Sequence, residues 1–239
     1  MKDSVIPDRE TSPVTRKRKV FVVDDHPIVR QGLAQLINRE PDLVVCGEAG
    51  DSHSARQAIT TVKPDILVLD ISLSGPDGIE LLKTIRQREP GLPVLVLSMH
   101  DESIYAERAL RAGANGYIMK QEAAEKVLMA VRRILDREVY VSERVANKML
   151  HQHIGRSTTV TQSPLDDLTD RELEVFRLIG HGYGTRQIAE ELYLSVKTVE
   201  SYQAHIKEKM AFHSARELVQ HAIQWVISEK QASDRATGR

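Results

Sequence analysis

A chain of 239 residues exceeds the roughly 100–150 residues of one ordinary domain, so two compact units are expected. Hydrophobic residues at 41% and charged residues at 28% exclude a fibrous or mainly disordered protein. No stretch approaches the roughly 20 apolar residues of a membrane span and residues 1–17 hold no apolar signal core, which predicts a cytoplasmic protein without a membrane partner. The formal net charge of -1 means that any attraction to nucleic acid must come from a local surface.

In chain order, residues 1–17 are expected to be a disordered extension. From 18 to 137, short β-branched runs alternate with helical stretches, the signature of a parallel sheet with crossover helices. Strands are predicted over 20–23, 44–46, 66–69, 94–97 and 116–119, mostly as continuous apolar runs, as strands covered on both faces require. Helices are predicted over 28–39, 54–62, 78–88, 104–112 and 123–135. The fold class is therefore α/β, a doubly wound five-stranded parallel sheet of flavodoxin-like type. The one cysteine, Cys46, falls in an apolar run and is expected as core.

Residues 138–164 read as a linker with a short helix near 143–151. A second, all-α domain of four helices follows over 165–230, with a disordered tail at 231–239. It opens on a capping box, Thr169-Asp170-Arg171-Glu172, and continues with helices over 185–192, 196–210 and 215–229. In the third of these four helices Val199, Tyr202, Ile206 and Met210 share one face, leaving Lys197, Glu200, Ser201, Ala204 and Glu208 turned away from the core. The last helix carries more apolar surface than a small core needs, and Leu218 and Ala222 are the candidate contacts between two copies of the chain.

The polar residues of the first domain fall at the carboxyl ends of its strands, where open α/β sheets bind ligands. Asp24 and Asp25 end the first strand, Asp70 the third, Ser98 the fourth and Lys120 the fifth. Three clustered carboxylates repel one another unless a cation intervenes, and hard oxygen ligands suit magnesium (Mg2+). Asp70 could then attack a phosphoryl group whose oxygens Lys120 and Ser98 bind.

These residues carry a resemblance. Val22-Val23-Asp24-Asp25-His26, Leu67-Val68-Leu69-Asp70-Ile71, Leu97-Ser98 and Gly116-Tyr117-Ile118-Met119-Lys120 resemble the receiver domain of bacterial response regulators. Leu168-Thr169-Asp170-Arg171-Glu172-Leu173-Glu174-Val175 and Leu194-Ser195-Val196-Lys197-Thr198-Val199-Glu200 resemble a LuxR-type helix-turn-helix, and together they point to the NarL/FixJ family. The resemblance implies a phosphoacceptor at Asp70 and metal ligation by Asp25, Asp70 and the Ser72 carbonyl, with Asp24 acting through water. It implies a switch pair, Ser98 and Tyr117, with Tyr117 swinging inward after Ser98 moves. A sensor histidine kinase, double-stranded DNA and a phosphorylation-dependent homodimer follow as partners. It also implies that the unphosphorylated receiver covers the recognition helix. The DNA-contacting candidates are Lys197, Thr198, Glu200, Ser201, Ala204, His205 and Lys207.

Two departures from the family accompany the match. The usual Met-Pro pair after the phosphoacceptor is replaced by Leu73-Ser74, followed by Gly75-Pro76-Asp77-Gly78, which is expected to alter phosphorylation kinetics. Glu200 and Tyr202 stand where family members often carry lysine and histidine, so DNA specificity does not carry over. Two other readings compete. A haloacid-dehalogenase-type phosphatase uses a similar Asp, Ser, Lys and magnesium set, but needs a second Asp as general acid where this chain has Ser72. A protein-interaction regulator whose second domain no longer binds DNA would fit that domain's excess of acidic over basic side chains.

Overall fold

The computed structural model describes residues 16–73, 78–122, 124–154 and 164–237. The expected 1–17 extension therefore lies almost wholly outside the described residues, as do residues 74–77 of the departing loop.

Strands β1 (Arg18–Val23), β2 (Leu43–Ala49), β3 (Ile66–Leu69), β4 (Val94–Ser98) and β5 (Gly116–Met119) form one parallel sheet in the order β2-β1-β3-β4-β5. Side chains alternate across it. Phe21, Val23, Leu67, Leu69 and Val96 face α2 (Ser52–Val62), α3 (Gly78–Arg88) and α4 (Glu102–Arg111), where Ile59, Leu82, Ile85 and Ala109 are buried with them. Val20, Val22, Ile66, Val68 and Leu95 face α1 (Pro27–Asn38) and α5 (Ala124–Leu135), meeting Leu33, Ile37, Val131 and Ile134. Both faces are thus covered, which is why the strands read as continuous apolar runs.

Local chemistry sets the boundaries. Pro27 occupies the first turn of α1, where its missing N–H costs nothing. The Asp51 side chain accepts from the His53 and Ser54 amides and starts α2. β2 runs on to Ala49, past the predicted end at 46, because Gly47 lets the Phe21 ring close over the strand; a Cβ at position 47 would lie 2.6 Å from Phe21 Cε2.

The segment after α5 is more than a linker. Tyr140 extends the β5 edge, its N–H donating to the Asn115 carbonyl (3.0 Å) and its carbonyl accepting from the Tyr117 amide (2.9 Å). α6 (Glu143–Ile154) then lies on α4, tied by Ser142 Oγ to Glu102 Oε1 (2.8 Å) and by Lys148 Nζ to the Ser103 carbonyl (2.7 Å).

The second domain consists of a single-turn 3-10 helix (Pro164–Asp167), α7 (Asp170–Gly180), α8 (Thr185–Glu191), α9 (Val196–Lys209) and α10 (Ala215–Thr237). The capping box forms as the sequence implies, Glu172 Oε2 accepting from the Thr169 amide at 2.8 Å. The same oxygen accepts from Lys209 Nζ at 2.7 Å, bolting the start of α7 to the end of α9. Leu173, Phe176, Ile179, Ile188, Val199 and Ile206 fill the core.

Two expectations about α10 are corrected. It continues to Thr237, so no tail begins at 231. Leu218 (2% exposed) and Ala222 (0%) are buried in their own domain against α7, and cannot be the surface that meets a second copy. α7 and α10 pack so closely at Gly180 that a Cβ there would overlap the Ala222 carbonyl. Gly180→Ala is therefore expected to lower the stability of this domain by about 1–3 kcal/mol, as overpacking of a tight core does, read as a fall in its denaturant midpoint.

Candidate functional site

The sheet register builds the site. The Asp70 amide donates to the Val23 carbonyl (2.8 Å), the Asp24 amide to the Ala49 carbonyl (3.1 Å) and the Lys120 amide to the Ser98 carbonyl (2.8 Å). Each polar side chain thus emerges as its strand ends, over one cleft. Asp24, Asp70 and Ser98 are buried. The Lys120 ammonium lies 2.6 Å from Asp24 Oδ2 and 2.6 Å from Asp70 Oδ2. Asp70 Oδ1 accepts from the Ser72 amide (2.8 Å), and the Ser72 hydroxyl lies 3.3 Å from that of Ser98.

On the other side of the cleft Asp24 Oδ1 accepts from the His26 amide (2.8 Å), while His26 Nδ1 lies 2.7 Å from Asp25 Oδ1. Potential ligand atoms of Asp24, Asp25, His26 and Asp70 all fall within 4.8 Å of one another. Burial pushes the Asp70 carboxyl above its ordinary range, against the pull of Lys120. Burial also disfavours the Lys120 charge, but Asp70 and Asp24 outweigh it and hold the ammonium above its usual value. One ammonium among three carboxylates leaves a surplus of negative charge, and the donors are hard oxygens. This set fits a divalent cation such as magnesium.

The structure therefore brings together Asp24, Asp25, Asp70, Ser72, Ser98 and Lys120. Sequence reasoning missed His26, although it directly follows the Asp pair, and Arg30, whose guanidinium donates to the Asp24 carbonyl one helical turn further on. It also missed His100. Tyr117 is buried and turned inward, with its hydroxyl donating to the His100 carbonyl at 2.9 Å; burial raises its phenol well above the ordinary range. Ser98 Oγ accepts from the His100 amide at 3.1 Å. The His100 ring stacks on Tyr105 with centroids 4.4 Å apart, and burial, aided by Arg177, lowers its pKa to about 3.

In the second domain, Ser195 caps α9 by accepting from the Thr198 amide at 3.0 Å, and the two hydroxyls lie 2.7 Å apart. Lys197, Glu200, Ser201, Ala204 and His205 are exposed, Thr198 and Lys207 half-buried. His205 Nδ1 lies 3.7 Å from Glu172 Oε1, so its ring leans toward α7. The first domain leaves this outer face open, so the expected covering of the recognition helix is not the arrangement found. Among the described residues no helix is long and apolar enough to cross a membrane.

A strand-end aspartate with its lysine, joined to a helix-turn-helix, defines a class of phosphorylation-dependent regulators. Residues 20–132 match the response regulator receiver domain family and residues 166–222 match the bacterial regulatory proteins of the luxR family. The chain is 36% identical over 215 residues to the oxygen regulatory protein NreC of Staphylococcus aureus, covering 88% of this chain and 99% of that one. A solved RcsB from Salmonella enterica serovar Typhimurium, bound to promoter rprA in the presence of phosphomimetic BeF3-, superposes with a TM-score of 0.62 at 26% identity, covering 87% of this chain and 98% of that one. A LuxR-family two-component response regulator from Aurantimonas sp. SI85-9A1 gives 0.54 at 35% identity over 58% of this chain and 99% of that one. The chain belongs to the NarL-family two-component response regulators with a LuxR-type DNA-binding domain. These are transcription regulators and not enzymes, which sets the phosphatase reading aside.

Proposed function

We propose that Asp70 accepts a phosphoryl group from a sensor histidine kinase, and that this controls dimeric, sequence-specific binding of double-stranded DNA through α9, in the cytoplasm. The observation that carries the reading is the Lys120 ammonium seated between Asp24 and Asp70 at the mouth of the sheet. Asp25, Asp70 and the Ser72 carbonyl would hold magnesium, with Asp24 acting through water; when bound, the ion neutralises charge around the reacting oxygens. An Asp70 carboxylate oxygen forms the new bond to phosphorus as the bond to the donor's imidazole nitrogen breaks. Lys120 and Ser98 bind the transferred oxygens.

For assembly, the exposed apolar residues of α10 replace the buried pair Leu218 and Ala222. Val219, Ile223 and Ile227 recur at one-turn spacing on its open side. On DNA, α9 would enter the major groove with Lys197, Glu200, Ser201 and Ala204 foremost, while Thr198 and His205 flank them. Glu200 can accept from cytosine N4, so Glu200→Ala is expected to relax preference at one base of each half-site by roughly 1–3 kcal/mol, read from selected-site profiles. Unchanged profiles would leave Glu200 only complementing its own helix dipole. Lys197→Ala or Lys207→Ala should instead weaken binding across all sequences and flatten its salt dependence by about one counterion.

The test is selection from random duplexes by the full chain, with and without acetyl phosphate and magnesium. Enrichment of one paired motif supports the reading; capture of no sequence under either condition favours the protein-interaction alternative.

A further inference from the structure

We infer that Arg108 docks the second domain on the receiver, and that phosphorylation tightens this docking instead of breaking it. The inference rests on the reading of Asp70 as phosphoacceptor.

Arg108, on α4, is largely buried, and its guanidinium is engaged almost entirely with the second domain. It donates to the carbonyls of Leu165 (2.7 Å) and Leu168 (2.8 Å) and to Asp170 Oδ1 (3.0 Å). Lys83 of α3 adds a second cation, donating to Asp170 Oδ2 at 3.0 Å. An exposed ion pair would hold little, but a partly buried planar fork meeting two carbonyls and a carboxylate fixes orientation as well as charge. Asp170 is the first residue of α7, so the fork grips the N-terminal end of that helix.

The same helix that carries Arg108 reaches the phosphorylation site. Tyr105, three residues before Arg108 on α4, stacks on the ring of His100 in the β4–α4 loop. His100 is also where both switch residues are anchored, its amide donating to Ser98 and its carbonyl accepting from Tyr117. One helix of the receiver, α4, thus grips the start of α7 through Arg108 and, one turn earlier, packs Tyr105 against the residue on which Ser98 and Tyr117 are anchored.

The sign of the coupling follows from what accompanies docking. Tyr117 is inward, the position expected once Ser98 has moved to a phosphoryl oxygen, and the outer face of α9 is open. A dock that silenced the protein would pair with an outward Tyr117 or a covered α9. If docking and the inward switch favour each other, linkage requires that loosening the dock weaken phosphoryl binding by the same factor.

The experiment titrates the full chain with beryllofluoride in magnesium, followed by the amide resonances of Ser72 and Lys120. Arg108→Ala and Asp170→Asn are expected to bind about 5–10-fold more weakly than wild type, the range of ordinary coupling energies. Arg108→Lys should fall between, because an ammonium cannot span all three acceptors. Arg111→Ala, on the same helix but bonded among the described residues only to Glu107, should match wild type, and thermal melts check that each variant is folded. Tighter binding by Arg108→Ala would reverse the sign and make the dock inhibitory, and equal binding would uncouple it; either result overturns the inference while leaving Asp70 in place. Absence of binding by wild type itself would overturn the phosphoacceptor reading and the inference with it.

Discussion

Asp70→Asn is expected to take up no acid-labile, hydroxylamine-sensitive phosphate from acetyl phosphate, under conditions where the wild type is modified once. Asp24 also touches Lys120, so the choice between the two carboxylates must come from their other neighbours. Asp70 accepts from the Ser72 amide, and the Ser72 hydroxyl borders that of Ser98, which places a second phosphoryl-binding group on the side of Asp70. Asp24 is held on the opposite side by the His26 amide and by Arg30. An amide keeps the shape of the carboxylate but is no nucleophile. The substitution also removes one of three crowded negative charges while Lys120 keeps Asp24 as partner, so the thermal midpoint should not fall. Retention of one labile phosphate by the asparagine variant would move the phosphoacceptor elsewhere.

The second large effect is expected on α10. Val219 is 42% exposed, Ile223 39% and Ile227 52%, a stripe of apolar surface on a domain that carries more acidic than basic side chains. Few phosphate contacts per copy make single-site affinity weak, and linking two copies supplies the rest. Val219→Glu with Ile223→Glu should lower affinity for paired half-sites by roughly 100-fold while phosphorylation and the thermal midpoint stay near wild type. Leu218→Glu makes the contrast. It would bury an unpaired charge and unfold the second domain, so sedimentation and circular dichroism separate a lost interface from a lost fold. Unchanged cooperative binding by the Val219 and Ile223 variant would place the dimer contact elsewhere.

Much of this was legible because one physical cause governs it. Strands covered on both faces must be apolar along their length, so a polar residue appears only where a strand leaves the sheet, and Asp24, Asp70, Ser98 and Lys120 marked the site for that reason. What escaped reading depended on neighbours distant in sequence. Positions 218 and 222 lie next to 219 and 223 on the same broad apolar stripe, and helical periodicity locates the stripe without saying which edge α7 covers. Nothing in Met99-His100-Asp101 announces that the His100 ring will be covered, because Tyr105 of the next helix stacks on it. Tyr140 gave no strand signal either, since it completes the β5 edge singly, without a run of its own. Arg108 looked like any helical surface charge until its acceptors arrived from the second domain.

The affinity of wild type and Asp70→Asn for one selected duplex at fixed salt, each with and without acetyl phosphate and magnesium, decides whether phosphorylation of Asp70 governs DNA binding. The phosphodonor is expected to tighten wild-type binding by about tenfold or more, a coupling within the ordinary range, and to leave Asp70→Asn unchanged. Equal tightening of both proteins, or no response by the wild type while it carries one phosphate, would contradict this expectation.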